Sequence, residues 1–222
     1  MLSDRVLFID AEALVVDKPA GLPVDRPRDG SLSVENHLES LAFGFRRWPQ
    51  PVHRLDRDTS GCLLLARTPK AHKRFQQSWE AGLAEKRYLA VLEGIPADAS
   101  GLIDMPLGKT STREAGWRMV PDPKGKPART RWSVIATAGQ RALVEFRPET
   151  GRTHQLRVHA ATGIGMPIVG DPVYGRKGPA MLLHAAGLTL PRENKPAITA
   201  EAPLPPAFAA AGFTGSGSDA AG

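Results

Sequence analysis

The sequence predicts an α+β fold, a mixed, largely antiparallel sheet with flanking helices. Short apolar runs of strand length follow one another with few helices between them. Helical spacing or helix-start signals occur in only three stretches, residues 33–45, 68–82 and 153–163. Residues 62–66 are continuously apolar and of strand length, as a central buried strand requires.

Taken in order, residues 6–9 and 14–16 read as strands around a turn at 10–13. Pro19, Gly21 and Pro23 then force a loop. From Ser33, a candidate N-cap, Val34, Leu38, Leu41 and Phe45 recur at helical spacing until Pro49 and Pro51 end the helix. Thr68-Pro69 sets a cap and a first-position proline for the next helix, with Phe75 and Trp79 on its buried face and Gly82 at its end. Residues 87–93 alternate like a strand closed by Gly94-Ile95-Pro96, and 102–107 form a short one. Residues 108–128 are rich in glycine, proline and charge without periodicity, and read as a long exposed loop. Residues 130–136 and 141–147 suit an antiparallel pair. A helix starts at Thr153 and is stopped by Gly163, and strands at 181–185, 187–190 and 198–201 complete the set. Residues 212–222 are small and polar and read as a disordered tail, leaving 1–211 as one domain.

An apolar fraction of 41% with 23% charged residues is ordinary for a soluble globular chain. No run is long enough to span a bilayer, and the first apolar stretch, residues 6–16, is broken by Asp10 and Glu12, which excludes a secretory signal. The single cysteine, Cys62, excludes an internal disulfide or a multi-cysteine zinc site and reads as an inert buried thiol. A reducing cytoplasm is the expected compartment. No protein partner is implied, and a monomer is the default. Net charge is +6, yet residues 1–44 carry four basic and eight acidic side chains, so the remainder holds +10. That concentration favours a polyanionic partner.

The most informative run is His53-Arg54-Leu55-Asp56-Arg57-Asp58-Thr59-Ser60-Gly61. It sets Asp56 among Arg54, Arg57 and His53, and neighbouring positive charge favours the ionised form of a carboxylate. The hydroxyl residues and glycine that follow suit a tight turn into a buried strand. Such a loop can present one carboxylate to a reacting carbon. It equally fits an arginine–aspartate salt bridge that fixes a loop.

This run resembles the signature of the RluA family of pseudouridine synthases, which isomerise uridine in structured RNA. Further stretches match that family in order: Val15-Val16-Asp17-Lys18-Pro19-Ala20-Gly21-Leu22, Lys86-Arg87-Tyr88, Thr150-Gly151-Arg152-Thr153-His154-Gln155-Leu156-Arg157-Val158-His159, and Leu182-Leu183-His184-Ala185. The resemblance covers residues 5–204 and implies the pseudouridine synthase catalytic fold. The reaction it implies breaks a carbon–nitrogen glycosidic bond, turns the uracil and rejoins it through carbon. No redox change or energy input is involved, so neither cofactor nor metal is implied, and one carboxylate can act as nucleophile or base.

Asp56 matches the family's essential aspartate. Arg157, which alone would read as a surface helix arginine, is implied to pair with that aspartate through a bidentate fork. Tyr88, otherwise an ordinary half-buried strand tyrosine, is implied to stack on the flipped base. Arg54 is implied to enter the RNA stack where the base leaves. Arg57, Lys86 and Arg87 fit phosphate contacts, although solvated charges would look the same. Leu183 is implied to line the uracil pocket, with plain core packing as the competing reading, and His53 reads as structural. Residues 104–131 hold seven basic side chains, including Lys109, Arg113 and Lys124, interleaved with Trp117 and Trp132. They suit an RNA-gripping loop, because phosphate contacts position without specifying sequence.

The implied substrates are ribosomal large-subunit RNA, transfer RNA, or both. The chain starts almost at the catalytic core, leaving no room for the small RNA-binding S4 domain that many relatives carry. A catalytically silent RNA-binding protein is disfavoured by Asp56, Tyr88 and Arg157 occurring together, and a small-molecule enzyme by the concentrated positive charge. Gly108-Lys109-Thr110 is no phosphate loop, since Ile103 stands where the first glycine belongs. His154 and His159 are five apart and share no helix face as a zinc pair would.

Overall fold

The computed structural model describes residues 1–113 and 116–214. The described strands are β1 (Val6–Ile9), β2 (Ala13–Lys18), β3 (Gln50–Pro51), β4 (Ser60–Ala66), β5 (Glu85–Leu92), β6 (Ser100–Asp104), β7 (Leu107–Thr112), β8 (Gly116–Pro121), β9 (Arg129–Ala138), β10 (Arg141–Pro148), β11 (Leu183–Arg192) and β12 (Lys195–Glu201). The described α-helices are α1 (Pro69–Glu80), α2 (Gln155–Val158) and α3 (Pro206–Ala210). Strands thus dominate and helices are few, the α+β architecture the sequence predicts. The chain divides into two compact units, 1–86 with 185–203 and 87–184 with the described residues from 204 onward.

In the first unit the strand order is β1-β2-β4-β11-β12, with β3 also on β4. The β2–β4 ladder is antiparallel and runs from Ala13 opposite Ala66 to Lys18 opposite Gly61. Every residue of β2 and β4 is buried, which is why neither run alternates in the sequence. Helix α1 lays Ala71 and Phe75 against Val15, Leu64 and Leu188. Its start is the expected one, since the Thr68 hydroxyl accepts the Ala71 N–H at 3.2 Å ahead of Pro69. Gly61 has φ +106, and a Cβ there would overlap the Ala185 backbone carbonyl, so only glycine allows β11 to approach this end of β4.

In the second unit the order is β5-β10-β9-β6, with each described ladder antiparallel. Ala90, Leu92, Val144, Phe146, Leu156 and Leu183 belong to its main core cluster.

Four sequence expectations change. Residues 33–45 hold only a 3-10 turn, Val34–His37, because Phe43 (φ 45) and Gly44 (φ 84) enter the left-handed region, which an α-helix cannot continue through. Residues 108–128 are not a long loop: β7 and β8 pair antiparallel, with Lys109 opposite Met119 and Ser111 opposite Trp117. Most of their side chains are at least partly exposed on both faces, so no alternation marks them in the sequence. The helix expected from Thr153 begins at Gln155, turns π-helical over His159–Ile164, and is ended by Gly165 (φ 81) rather than Gly163. The two short strands expected at 181–185 and 187–190 are one strand, β11. At the C-terminal end Phe213 is packed at 3% exposure, and most of the expected tail, residues 215–222, lies outside the described residues.

Candidate active site

The loop before β4 carries Asp56 between a buried Leu55 and an exposed Arg57. Its backbone is held at consecutive carbonyls. The Asp56 carbonyl accepts the Thr59 N–H at 3.1 Å. The Arg57 carbonyl accepts the Gly21 N–H at 2.9 Å and the Lys18 ammonium at 3.1 Å. Lys18 also donates to the carbonyls of Pro19 (2.9 Å) and Leu22 (2.7 Å), and Arg57 Nε donates to the Gly21 carbonyl at 3.2 Å. Two of the stretches quoted from the sequence, Val15-to-Leu22 and His53-to-Gly61, are therefore cross-tied, and the Asp56 side chain projects, partly exposed, from a braced backbone.

Lys18 is fully buried, and burial lowers its pKa to about 8 against the opposing pull of Asp58, Asp56 and Asp17. The sequence reading quoted this lysine but assigned it no role; a charged residue at the end of a buried strand was its only signal. His53 is structural, as expected. Its Nε2 accepts the Leu64 N–H at 3.0 Å, and its ring stacks on Trp79 with centroids 4.0 Å apart. Desolvation first, and then the nearby Lys86 charge, hold its pKa down to about 3, against a hydrogen bond at Arg54 that favours the charged form. Arg54 is 69% exposed at its side chain and bonds Asp25 at 2.6 Å. Lys86 lies 5.6 Å above the Trp79 ring centroid, and burial lowers its pKa.

The second unit holds the other candidate residues. Tyr88, half-buried on β5, stands opposite Phe146 and packs on the cluster that contains Leu183 and Leu156. Leu183 is 4% exposed within that cluster. Arg87 faces Glu145 at 3.9 Å. Lys109, Arg113 and Lys124 are exposed, the first with its ammonium 5.9 Å from the Trp117 ring centroid.

Arg157 is not a surface arginine; it is 5% exposed on α2. Its Nε and Nη2 donate to Asp171 Oδ2 and Oδ1 at 2.7 and 2.8 Å, a two-pronged buried pair. Asp171 Oδ1 also accepts the Val173 and Tyr174 N–H groups at 2.8 and 3.1 Å. Burial pushes the Asp171 carboxyl up, but the bonds and charge of Arg157 with those two amides outweigh it and leave it below the usual carboxylate value. The sequence reading missed Asp171: fourteen residues from Arg157, in the Gly170-Asp171-Pro172 turn, it shares no periodicity with its partner.

The rest of the Thr150-to-His159 stretch is scaffold. Gln155 donates to the Arg129 carbonyl and the Thr130 hydroxyl, both at 3.0 Å, and accepts from the Thr150 hydroxyl and the Arg152 N–H at 2.8 and 2.9 Å. His159 bonds Thr130 Oγ1 at 2.9 Å and the Met105 carbonyl at 3.2 Å. His154 Nδ1 bonds the Tyr174 hydroxyl at 2.9 Å, and that oxygen also accepts the Met119 N–H at 2.9 Å. The β7–β8 hairpin is thereby moored to the turn that holds Arg157.

Residues 12–162 match the protein family described as RNA pseudouridylate synthase. The chain belongs to that family, in its RluA branch. It is 60% identical to an uncharacterized RNA pseudouridine synthase of Zymomonas mobilis, over 96% of this chain and 99% of that protein. It is 37% identical to the dual-specificity RNA pseudouridine synthase RluA of Escherichia coli, over 83% of this chain and 85% of the other. The solved human RNA pseudouridylate synthase domain containing 4 superposes with a TM-score of 0.79 at 26% identity, covering 94% of this chain and 91% of that one. The fold is that of the pseudouridine synthases, and the chain is an isomerase acting on uridines in RNA. Among the described residues no helix is long and apolar enough to cross a membrane.

Proposed function

We propose that Asp56 is the catalytic carboxylate of this isomerase and that its substrate is ribosomal large-subunit RNA, transfer RNA, or both. The observation that carries the assignment is the bracing of the Asp56 loop. Lys18 and Gly21 hold its backbone while the carboxylate keeps partial exposure. A reacting group held this way loses little freedom on reaching the transition state. Tyr88 and Arg157 complete the catalytic set, Tyr88 stacking on the extruded uracil and Arg157 supplying the guanidinium that the family pairs with this aspartate. Arg54, Arg57, Lys86 and Arg87, with Lys109, Arg113 and Lys124 of the hairpin, take RNA phosphates, and Leu183 backs the uracil pocket. The substrate reading draws support from relatives named for dual specificity and for the ribosomal large subunit, the latter in Zymomonas mobilis at 37% identity.

When C5 of uracil becomes the glycosidic carbon, its hydrogen leaves to solvent, so tritium release from C5-labelled RNA reads the reaction directly. Asp56→Asn abolishes that release and leaves RNA binding largely intact; turnover near wild type refutes the assignment. Chemical mapping of pseudouridines in ribosomal and transfer RNA from cells lacking the protein identifies the substrate. A full complement of sites in both RNAs would exclude both.

A further inference from the structure

The geometry points to a second RNA-contact surface, outside the family stretches. In it the loop at residues 42–48 of the first unit binds an unpaired segment of the substrate by stacking on Trp48 and by phosphate contacts from Arg46 and Arg47. The proposal rests on RNA being the substrate but not on which residue is catalytic.

Three observations carry it. The first is exposure: Trp48 and Phe43 are 54% and 45% exposed within six residues of one another. Two large aromatic side chains exposed on one short loop are a less ordinary surface feature than one scattered singly. The second is unspent charge. Arg54, Arg74, Arg131 and Arg192 each meet a carboxylate within 2.6–2.9 Å. Arg46 and Arg47 are exposed and make no ion pair among the described residues, and Trp48 makes no ring contact there. Two guanidiniums free of ion pairs, followed in the chain by an indole free of ring contacts, offer the two chemistries that single-strand binding combines, phosphate contact and base stacking.

The third observation is that the loop is built. Leu41 and Pro49 are buried at either end. The buried Arg67 reaches across to donate to the Ala42 and Phe43 carbonyls at 3.1 and 3.2 Å and lies 3.9 Å over the Phe45 ring. Phe45 N–H closes onto the Ala42 carbonyl at 3.1 Å. Phe43 and Gly44 hold left-handed backbone, a conformation that costs energy in a phenylalanine and persists only where surroundings enforce it. A loop ordered before binding loses little entropy on contact, which raises affinity without new contacts.

The test uses the full chain and a fluorescein-labelled oligouridylate of about 12 nucleotides, long enough for one single-strand site. Trp48→Ala weakens binding about tenfold, the stacking of one base, while Trp48→Phe retains most of the affinity. Arg46→Ala with Arg47→Ala lowers the slope of log affinity against log salt by about 1.4, two single-strand phosphates. Circular dichroism melts of these surface variants match wild type. Wild-type affinity and slope in both sets overturn the proposal, and so does a loss confined to a variant whose melt has shifted; binding of a protein at this surface would give the former result. Binding is read without turnover, so failure of either reading leaves the other standing.

Discussion

Replacing Asp171 by asparagine keeps the volume of the side chain and removes the negative charge from a buried guanidinium. In the wild type both carboxylate oxygens are used, Oδ2 by Arg157 Nε at 2.7 Å and Oδ1 by Nη2 at 2.8 Å, with two backbone amides also on Oδ1. Asparagine offers one acceptor oxygen and turns an NH2 group toward a donor. Breaking a buried pair from one side removes the bidentate charge partner and costs about 3–5 kcal/mol, well above the 0–1 kcal/mol of an exposed pair. At about 2.1 cal/mol/K of unfolding entropy per residue, that corresponds to a fall in Tm of about 6–11 °C. The effect has a pH signature. The folded carboxyl lies below its unfolded value of 3.8, so its stabilisation is present above that pH and is lost as pH falls through the lower folded value. Wild type and Asp171→Asn therefore converge in acid. The assay is urea unfolding followed by circular dichroism between pH 7 and pH 3. The double variant Arg157→Met with Asp171→Leu costs less than the sum of its single variants, because no charge is left stranded. A loss under about 1 kcal/mol at pH 7 for Asp171→Asn, or strict additivity in the double variant, refutes the account.

Gly61→Ala places a Cβ against the Ala185 carbonyl at a φ of +106, and destabilises by at least about 3 kcal/mol in the same assay; a well-folded variant with unchanged stability would mean that β11 can move aside. The Lys18 amine titrates near pH 8 when followed by carbon NMR of its labelled Cε, rather than at the ordinary 10.5. Because the unfolded chain holds that proton up to the higher value, the group's contribution to stability rises with pH between about 8 and 10.5, and Lys18→Met flattens that rise. Removing the charges of Lys109, Arg113 and Lys124 together weakens RNA binding and reduces its salt slope by about 2–3, one phosphate each; an unchanged slope leaves the hairpin without a role in binding.

Local signals were read accurately wherever they rest on a few neighbouring residues. Thr68-Pro69 caps and opens α1 as expected, and the unbroken apolar run ahead of Arg67 is the buried β4. The Asp56 loop was legible as a loop because Thr59, Ser60 and Gly61 leave the chain little else to do. Periodicity misled at Val34, Leu38, Leu41 and Phe45, where left-handed backbone at Phe43 and Gly44 outweighs the helical spacing of the apolar residues. It was absent at β7 and β8, whose exposed faces place no apolar demand on alternate positions.

Composition and order along the chain were enough for the class of fold and the family, since each is written in short contiguous stretches. The partners of buried charges are not. Lys18 meets the Arg57 carbonyl across 39 residues, and Arg157 meets Asp171 across 14. A charge taken out of water must find such a partner, and which one it finds depends on how the strands and turns bring distant backbone and side chains within hydrogen-bond reach.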